Sequence, residues 1–370
     1  MVSELVVTFL ETFGTSGKAE RCHDSKIGGY GKKIEDRGNR KSTPKFGLFR
    51  INIYLCSEIG ISMKKFSEDS KRKLGHAILY LAYHVEDLSK SKLIKLLYLM
   101  EEAMVRKYQS PFLALQYEVW QYGPVAKEIY VGFTNTPTIL REYVYTSATE
   151  DGTYIYPNMD FDAAEFSDME MDVMTSVVRD YGQMKARELK DITHRPDGLW
   201  YKIALDKGLL DAFDRQECTS SDEVIDFSEL LPADQKPVYM KRLNEVEAVN
   251  DLKIDFQDYQ RYQRGWDGED GLPLTQRVIQ NFSQVLSVAD NETLSAIRIY
   301  PDDNGSLGIE LKDMNAGLSL GNDAFSHYMI DNDHVIGESH VPFSPQAVAD
   351  VIASFHRFDG DTSEAGGYSK

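Results

Sequence analysis

Two short stretches inside residues 92–133 constrain this chain more than any other part of it. The first is Lys92-Leu93-Ile94-Lys95-Leu96-Leu97-Tyr98-Leu99-Met100, where Leu93, Leu96, Leu97 and Met100 recur at i, i+3, i+4 and i+7. That spacing puts the apolar side chains on one face of a helix. The second is Trp120-Gln121-Tyr122-Gly123-Pro124-Val125. Proline is tolerated in the first turn of a helix, where the N–H groups lack intrahelical acceptors. A second helix is therefore expected from Gly123-Pro124, with Val125, Ile129 and Phe133 on its inner face. Between the two, residues 112–120 alternate Leu113, Leu115, Tyr117 and Val119 with Ala114, Gln116, Glu118 and Trp120, which predicts a short strand. The unit is compact and holds no set of groups suited to catalysis.

Its neighbours extend the same architecture. Leu74, Ala77, Ile78, Leu81 and Val85 form an apolar helical stripe, and Ser89 or Ser91 is placed to cap the helix that follows. Residues 141–145 and 153–156 flank Asp151-Gly152 and predict a hairpin. Ser167-Asp168-Met169-Glu170 has the form of a capping box, with Gly182 as the stop of the helix it opens. Short helices are expected at 186–193, closed by Pro196, and at 200–205, closed by Gly208. Residues 212–237 turn acidic and serine-rich, with Pro232 and Pro237, and mark a domain boundary. Residues 238–252 read as a bridging helix.

A second module follows. Residues 274–289 form an amphipathic helix with Val278, Phe282, Val285 and Leu286 inward. Strands are expected at 297–300 and 307–311 around Asp302-Asp303-Asn304-Gly305, then at 318–320, 325–330 and 334–340. Ser344-Pro345 opens a last helix bearing Val348, Val351, Ile352 and Phe355. Arg264-Gly265-Trp266-Asp267-Gly268 precedes this module as a tight turn that seats Trp266 on the sheet while Asp267 bonds nearby backbone. It is similar to small bacterial modules with a Gly-Trp-Asp-Gly opening. The fold class is α+β: a mainly helical first module with a small hairpin, then an antiparallel sheet flanked by two helices. The expected organisation is 1–62 disordered or upstream of the natural start, 63–211 first domain, 212–254 acidic linker and bridging helix, 255–358 accessory module, and 359–370 a disordered tail. A strand is expected at 49–56 within the first of these.

Composition narrows function. The net charge of −18 over 370 residues disfavours nucleic acid as a partner and suits a basic protein. Cys22, Cys56 and Cys218 are distant and odd in number, so neither a disulfide framework nor a zinc knuckle is predicted, and reduced thiols in a cytoplasmic protein are expected. No apolar run reaches the roughly 18 residues of a membrane span. Gly28-Gly29-Tyr30-Gly31 lacks the strand and helix that a phosphate loop requires. The acidic clusters, including Asp302-Asp303 and Asp331-Asn332-Asp333, lack the calcium-loop pattern. His327, His334 and His340 fall on expected strands without a visible ligand set. No cofactor, metal or catalytic residue is expected.

The residues Lys92-Leu93-Ile94-Lys95-Leu96-Leu97-Tyr98, Tyr122-Gly123-Pro124-Val125 and Thr193-His194-Arg195, followed by Trp200, resemble the Panacea domain family over about residues 66–210. The resemblance implies a helical, non-enzymatic antitoxin that holds a separately encoded toxin, in toxin–antitoxin pairs and phage-associated loci. It also leaves open an adaptor that delivers its client to a cellular protease, and an uncharacterised enzyme in the second module stands as a further alternative. The partner-binding residues expected are Lys92 and Lys95 as a charged pair on one helix side, Trp120 and Tyr122 as aromatic anchors, and Gly123 and Pro124 as an exposed helix start. His194 reads as a helix-terminus histidine bonded to carbonyls, and Tyr98 and Trp200 as core.

Overall fold

The computed structural model describes residues 66–133, 140–331 and 334–364. The expected strand at 49–56 and the rest of 1–62 lie outside them. Helix α1 (Glu68–His84) starts where Ser67 accepts from the Ser70 N–H, and it buries Leu74, Ala77, Ile78 and Leu81. Helix α2 (Lys90–Tyr108) is capped by Ser89, which accepts from the Lys92 N–H. The stripe Leu93, Leu96, Leu97 and Met100 is fully buried as its spacing predicts. The helix is buried on its other faces too, since Lys92, Lys95, Glu101 and Glu102 are inside as well. A helix hidden all round lies at the centre of its domain.

The chain leaves α2 through an ordered turn. Glu101 accepts the Phe112 N–H at 2.9 Å and the Leu113 N–H at 3.0 Å, so a buried carboxylate reverses the backbone after Gln109, which is left-handed at φ 49°. The strand that follows is shorter than expected: β1 (Tyr117–Trp120). It pairs antiparallel with β2 (Gly123–Ala126), Trp120 facing Gly123. Gly123-Pro124 therefore opens a strand, and the helix α3 (Lys127–Gly132) begins only after it. The cause is visible at Gly123, whose φ of +107° lies outside helix geometry and closes a tight reversal at Gln121-Tyr122. Val125, Ile129 and Phe133 still face inward.

The expected hairpin is present, but its first strand lies later than 141–145: β3 (Val144–Thr149) and β4 (Gly152–Pro157) are joined at Glu150-Asp151, and Gly152 falls in the strand, not the turn. Helix α4 (Asp168–Tyr181) carries the complete Ser167/Glu170 capping box and ends at Gly182. Helices α5 (Ala186–Thr193), α6 (Leu199–Asp206) and α7 (Leu209–Asp214) follow. The stretch expected to be linker is packed instead. The Val119 N–H donates to Glu223 O and the Ile225 N–H to Tyr117 O, so residues 223–225 lie along β1. Ile225, Phe227 and Leu231 join the first core. Cys218 is buried there.

Helix α8 (Lys236–Tyr259) connects the two cores: Tyr239 belongs to the first, and Val249, Leu252 and Phe256 belong to the second. The second core is built by α9 (Gln276–Val288), the short α10 (Asn291–Ser295), a five-stranded antiparallel meander and α11 (Pro345–Glu364). The strands are β5 (Ile297–Pro301), β6 (Leu307–Leu311), β7 (Ala316–Leu320), β8 (Ala324–Asp331) and β9 (His334–Pro342), in that spatial order. The α+β class is as expected. Trp266 does not sit on the sheet. It stacks on Tyr262 at 5.2 Å and donates to Leu272 O, while Asp267 accepts the Glu269 and Gly271 N–H groups as predicted. Helix α11 runs to Glu364, into the stretch from Asp359 expected as a tail.

Gly75 in α1 gives a test of this packing. A methyl group there would lie 2.5 Å from the Tyr143 ring, closer than side chains tolerate. Gly→Ala within a helix normally stabilises by about 1 kcal/mol. Gly75→Ala is expected to destabilise by about 1–3 kcal/mol instead, read as a lower urea midpoint.

Candidate functional site

The motif residues converge on one buried junction where α2, β2, α5 and α6 meet. Lys95 is 6% exposed, and its Nζ donates to Pro124 O at 3.1 Å. Gly123 lies against the same lysine: a Cβ there would fall 2.8 Å from Lys95 Cε and 3.0 Å from Thr193 Oγ1. Glycine is thus required twice, by its φ and by the close approach. The Thr193 hydroxyl donates to Lys190 O at 3.0 Å and is itself buried. His194 stacks on Trp200 with ring centroids 3.6 Å apart, and Trp200 Nε1 donates to Trp120 O at 2.9 Å. Arg195 pairs with Glu102, which also accepts from Arg106 Nη2 at 2.9 Å.

Burial governs the charges of this junction. Loss of water pushes the Lys95 amine down to about 7, with Lys190 adding repulsion. Burial, Lys190 and Lys95 together hold the His194 imidazole down at about 3, so the ring is neutral at physiological pH. His194 was expected to bond carbonyls. Its backbone N–H does so at Lys190 O, but ring Nε2 is buried and has no partner. Tyr98 is enclosed between Tyr117 and Phe227, and its hydroxyl is pushed far above the usual range by burial and by Glu102.

The expected partner-binding residues separate into two groups. Lys92 and Lys95 are not a surface pair. Lys92 Nζ reaches Glu86 O at 2.8 Å and Gly182 O at 3.3 Å, and both lysines are buried. The stripe spacing places them between apolar neighbours, and backbone carbonyls of facing segments take up their ammonium groups. Gly123 and Pro124 are buried in β2 rather than exposed at a helix start. Trp120 is half-buried, edge-on to Tyr130 at 5.0 Å, with its Nε1 donating to Glu118 Oε2. Tyr122 is 65% exposed at the tip of the β1–β2 reversal, with Lys190 Nζ 5.2 Å from its ring centre. Lys90 Nζ sits 4.1 Å over Tyr130. Tyr130, Lys90 and Lys190 were missed by sequence reasoning. Their spacing is ordinary for helices, and the contacts they make, Lys90 with Tyr130 and Lys190 with Tyr122, join segments distant in sequence.

Residues 93–201 match the family model described as antitoxin SocA-like, Panacea domain. This segment is a Panacea domain. No curated protein and no solved structure matches the chain. The match spans less than a third of the 370 residues and ends before the second core. Within the Panacea domain, Lys95, Gly123, Thr193 and Trp200 meet at the junction just described. Among the described residues, no group of three or more His, Cys, Asp or Glu side chains could hold a metal ion, and His327, His334 and His340 form no such group. No helix among them is long and apolar enough to cross a membrane.

The depressed Lys95 amine has a defined pH signature. Its folded value near 7 lies below the unfolded value near 10.5, so the unfolded chain binds more protons between those limits. The Lys95 contribution is thus most destabilising below pH 7 and fades as pH rises towards 10.5, with a slope approaching about 1.4 kcal/mol per pH unit. Lys95→Met is expected to abolish this slope. Its stability relative to the native chain should be most favourable at pH 7 and decline towards pH 10, measured by urea unfolding across that range.

Proposed function

We propose that the chain is an antitoxin, in which the Panacea domain binds and neutralises a cognate protein toxin without acting as an enzyme. The observation that carries this reading is the family match over residues 93–201. The geometry supports a division of labour within it. Lys92, Lys95, Gly123 and Pro124 fix the scaffold from inside, and the β1–β2 tip carries the contact. Tyr122, exposed at a pinned reversal with the Lys190 ammonium 5.2 Å from its ring centre, has the make-up of an interface anchor, and Trp120 packs separately on Tyr130. The net charge of −18 supports fast capture of a basic toxin by long-range attraction, while the aromatic tip supplies contact at short range.

The test is co-expression with the product of the neighbouring gene. A toxic neighbour whose toxicity disappears in the presence of this chain is the expected result; a harmless neighbour, or toxicity that persists, defeats the reading. Tyr122→Ala is expected to weaken the isolated complex by about 2 kcal/mol or more, measured by calorimetry, with the melting temperature of the free protein unchanged. Sequestration gives a stable complex and unaltered toxin levels. Delivery to a protease gives toxin levels that fall only when that protease is present.

A further inference from the structure

The two edges of the five-stranded sheet are treated differently. At one edge, β5 lies against α8 and is covered. At the other, β9 is exposed along nearly its whole length, with Val335 at 71% and Ile336 at 54% exposure. Sheet edges are usually blunted by Lys, Pro, a bulge or a cover, because free N–H and C=O groups template further strands. In β9 those devices are confined to the far end: the irregular register between Phe325 and His327, the left-handed His340 at φ 60°, and Pro342. Residues 334–338, His334-Val335-Ile336-Gly337-Glu338, carry no Lys, Pro or bulge, and Glu338 at their end is the one acidic side chain among them.

This segment is complementary to itself. The Ile330 N–H donates to Asn315 O, away from β9, so in the β8–β9 ladder the alternate pairs Asp331↔His334, Met329↔Ile336 and His327↔Glu338 are the ones that exchange hydrogen bonds. His334, Ile336 and Glu338 then direct their backbone groups at β8, and Val335 and Gly337 direct theirs outward. An antiparallel copy centred on Ile336 would set the outward groups of Val335 opposite those of Gly337, twice. It would also set each His334 opposite a Glu338 and bring the two Ile336 side chains together. Imidazole opposite carboxylate and apolar opposite apolar are favourable cross-strand pairs.

We propose that β9 pairs with β9 of a second copy of this chain about a two-fold axis at Ile336, joining two five-stranded sheets into one of ten strands. A contact this small belongs to the weak class of interfaces, so the dimer forms at micromolar rather than nanomolar concentration. The proposal is independent of the antitoxin reading, since the contact lies in the second core.

The test uses the full chain in sedimentation over roughly 1–100 µM. The expected result is a concentration-dependent shift from 42.1 kDa towards twice that mass. Glu338→Lys, which faces His334 with a cation at both ends, is expected to raise the dissociation constant about tenfold. Adding His334→Glu to it restores pairing, which a merely structural effect would not do. Register is read separately by oxidation. Residues paired across such an axis have Cα atoms about 4.5 Å apart, within reach of a disulfide. Ile336→Cys is therefore expected to cross-link two copies, while Val335→Cys, facing Gly337, cross-links no faster than the unchanged chain. A monomer at every concentration, a dimer insensitive to these exchanges, or equal cross-linking by the two cysteine variants overturns the proposal. The cysteine comparison remains decisive if Glu338→Lys fails to fold.

Discussion

The hydrogen bond from Lys95 Nζ to the Pro124 carbonyl fixes where β2 meets α2 in the Panacea domain. A lysine this deep cannot be left without an acceptor, because an unpaired buried charge costs far more than the bond returns. The acceptor must come from a backbone that approaches without a side chain in the way, and Gly123 supplies that approach. Once Pro124 is drawn in, β2 lies flat against α2, β1 pairs with it, and residues 223–225 add to β1 from the other side. The exposed tip at Tyr122 projects because everything beneath it is tied down.

The far end of α2 works on the same principle with opposite charge. Glu101 gathers two backbone N–H groups and turns the chain, while Glu102 holds Arg195 and Arg106. The helix thus exchanges its charges with the backbone and with neighbours, not with water. This is how Lys92, Lys95, Glu101 and Glu102 come to lie inside, while Arg106 and Lys107 at its last turn stay exposed. Among the described residues, the His194 Nε2 at this junction has no hydrogen-bond partner. In a low-dielectric interior such an unpaired polar atom is costly.

Much of the fold was legible because apolar period and cap chemistry are local signals. The stripe of α2, the Ser167/Glu170 box, the β3–β4 hairpin and the meander β5–β9 all follow from neighbours within a few residues. What was not legible depended on distant segments. Gly123-Pro124 reads as a helix start until the Lys95 side chain is known to occupy the space beside it. Residues 212–237 read as linker because their acidic and serine-rich face hides Ile225, Phe227 and Leu231, which pair with a surface made elsewhere. The candidate site divides the same way. Tyr122, expected as an aromatic anchor ahead of a helix start, is exposed at a strand reversal instead, whereas Lys92 and Lys95, expected beside it on a surface, are internal.

Helix α8 belongs to both cores at once, and Asn250 on it accepts from the Ser67 N–H at 3.0 Å and from the Ser70 hydroxyl at 2.8 Å. The start of α1 is therefore held by a residue that lies far beyond the family match. An excision at the limits of sequence similarity would remove the stripe of α1, the segment alongside β1 and Tyr239 together. A second module exchanged for another would take with it the α8 residues that complete the first core, so the two halves are coupled through that one helix.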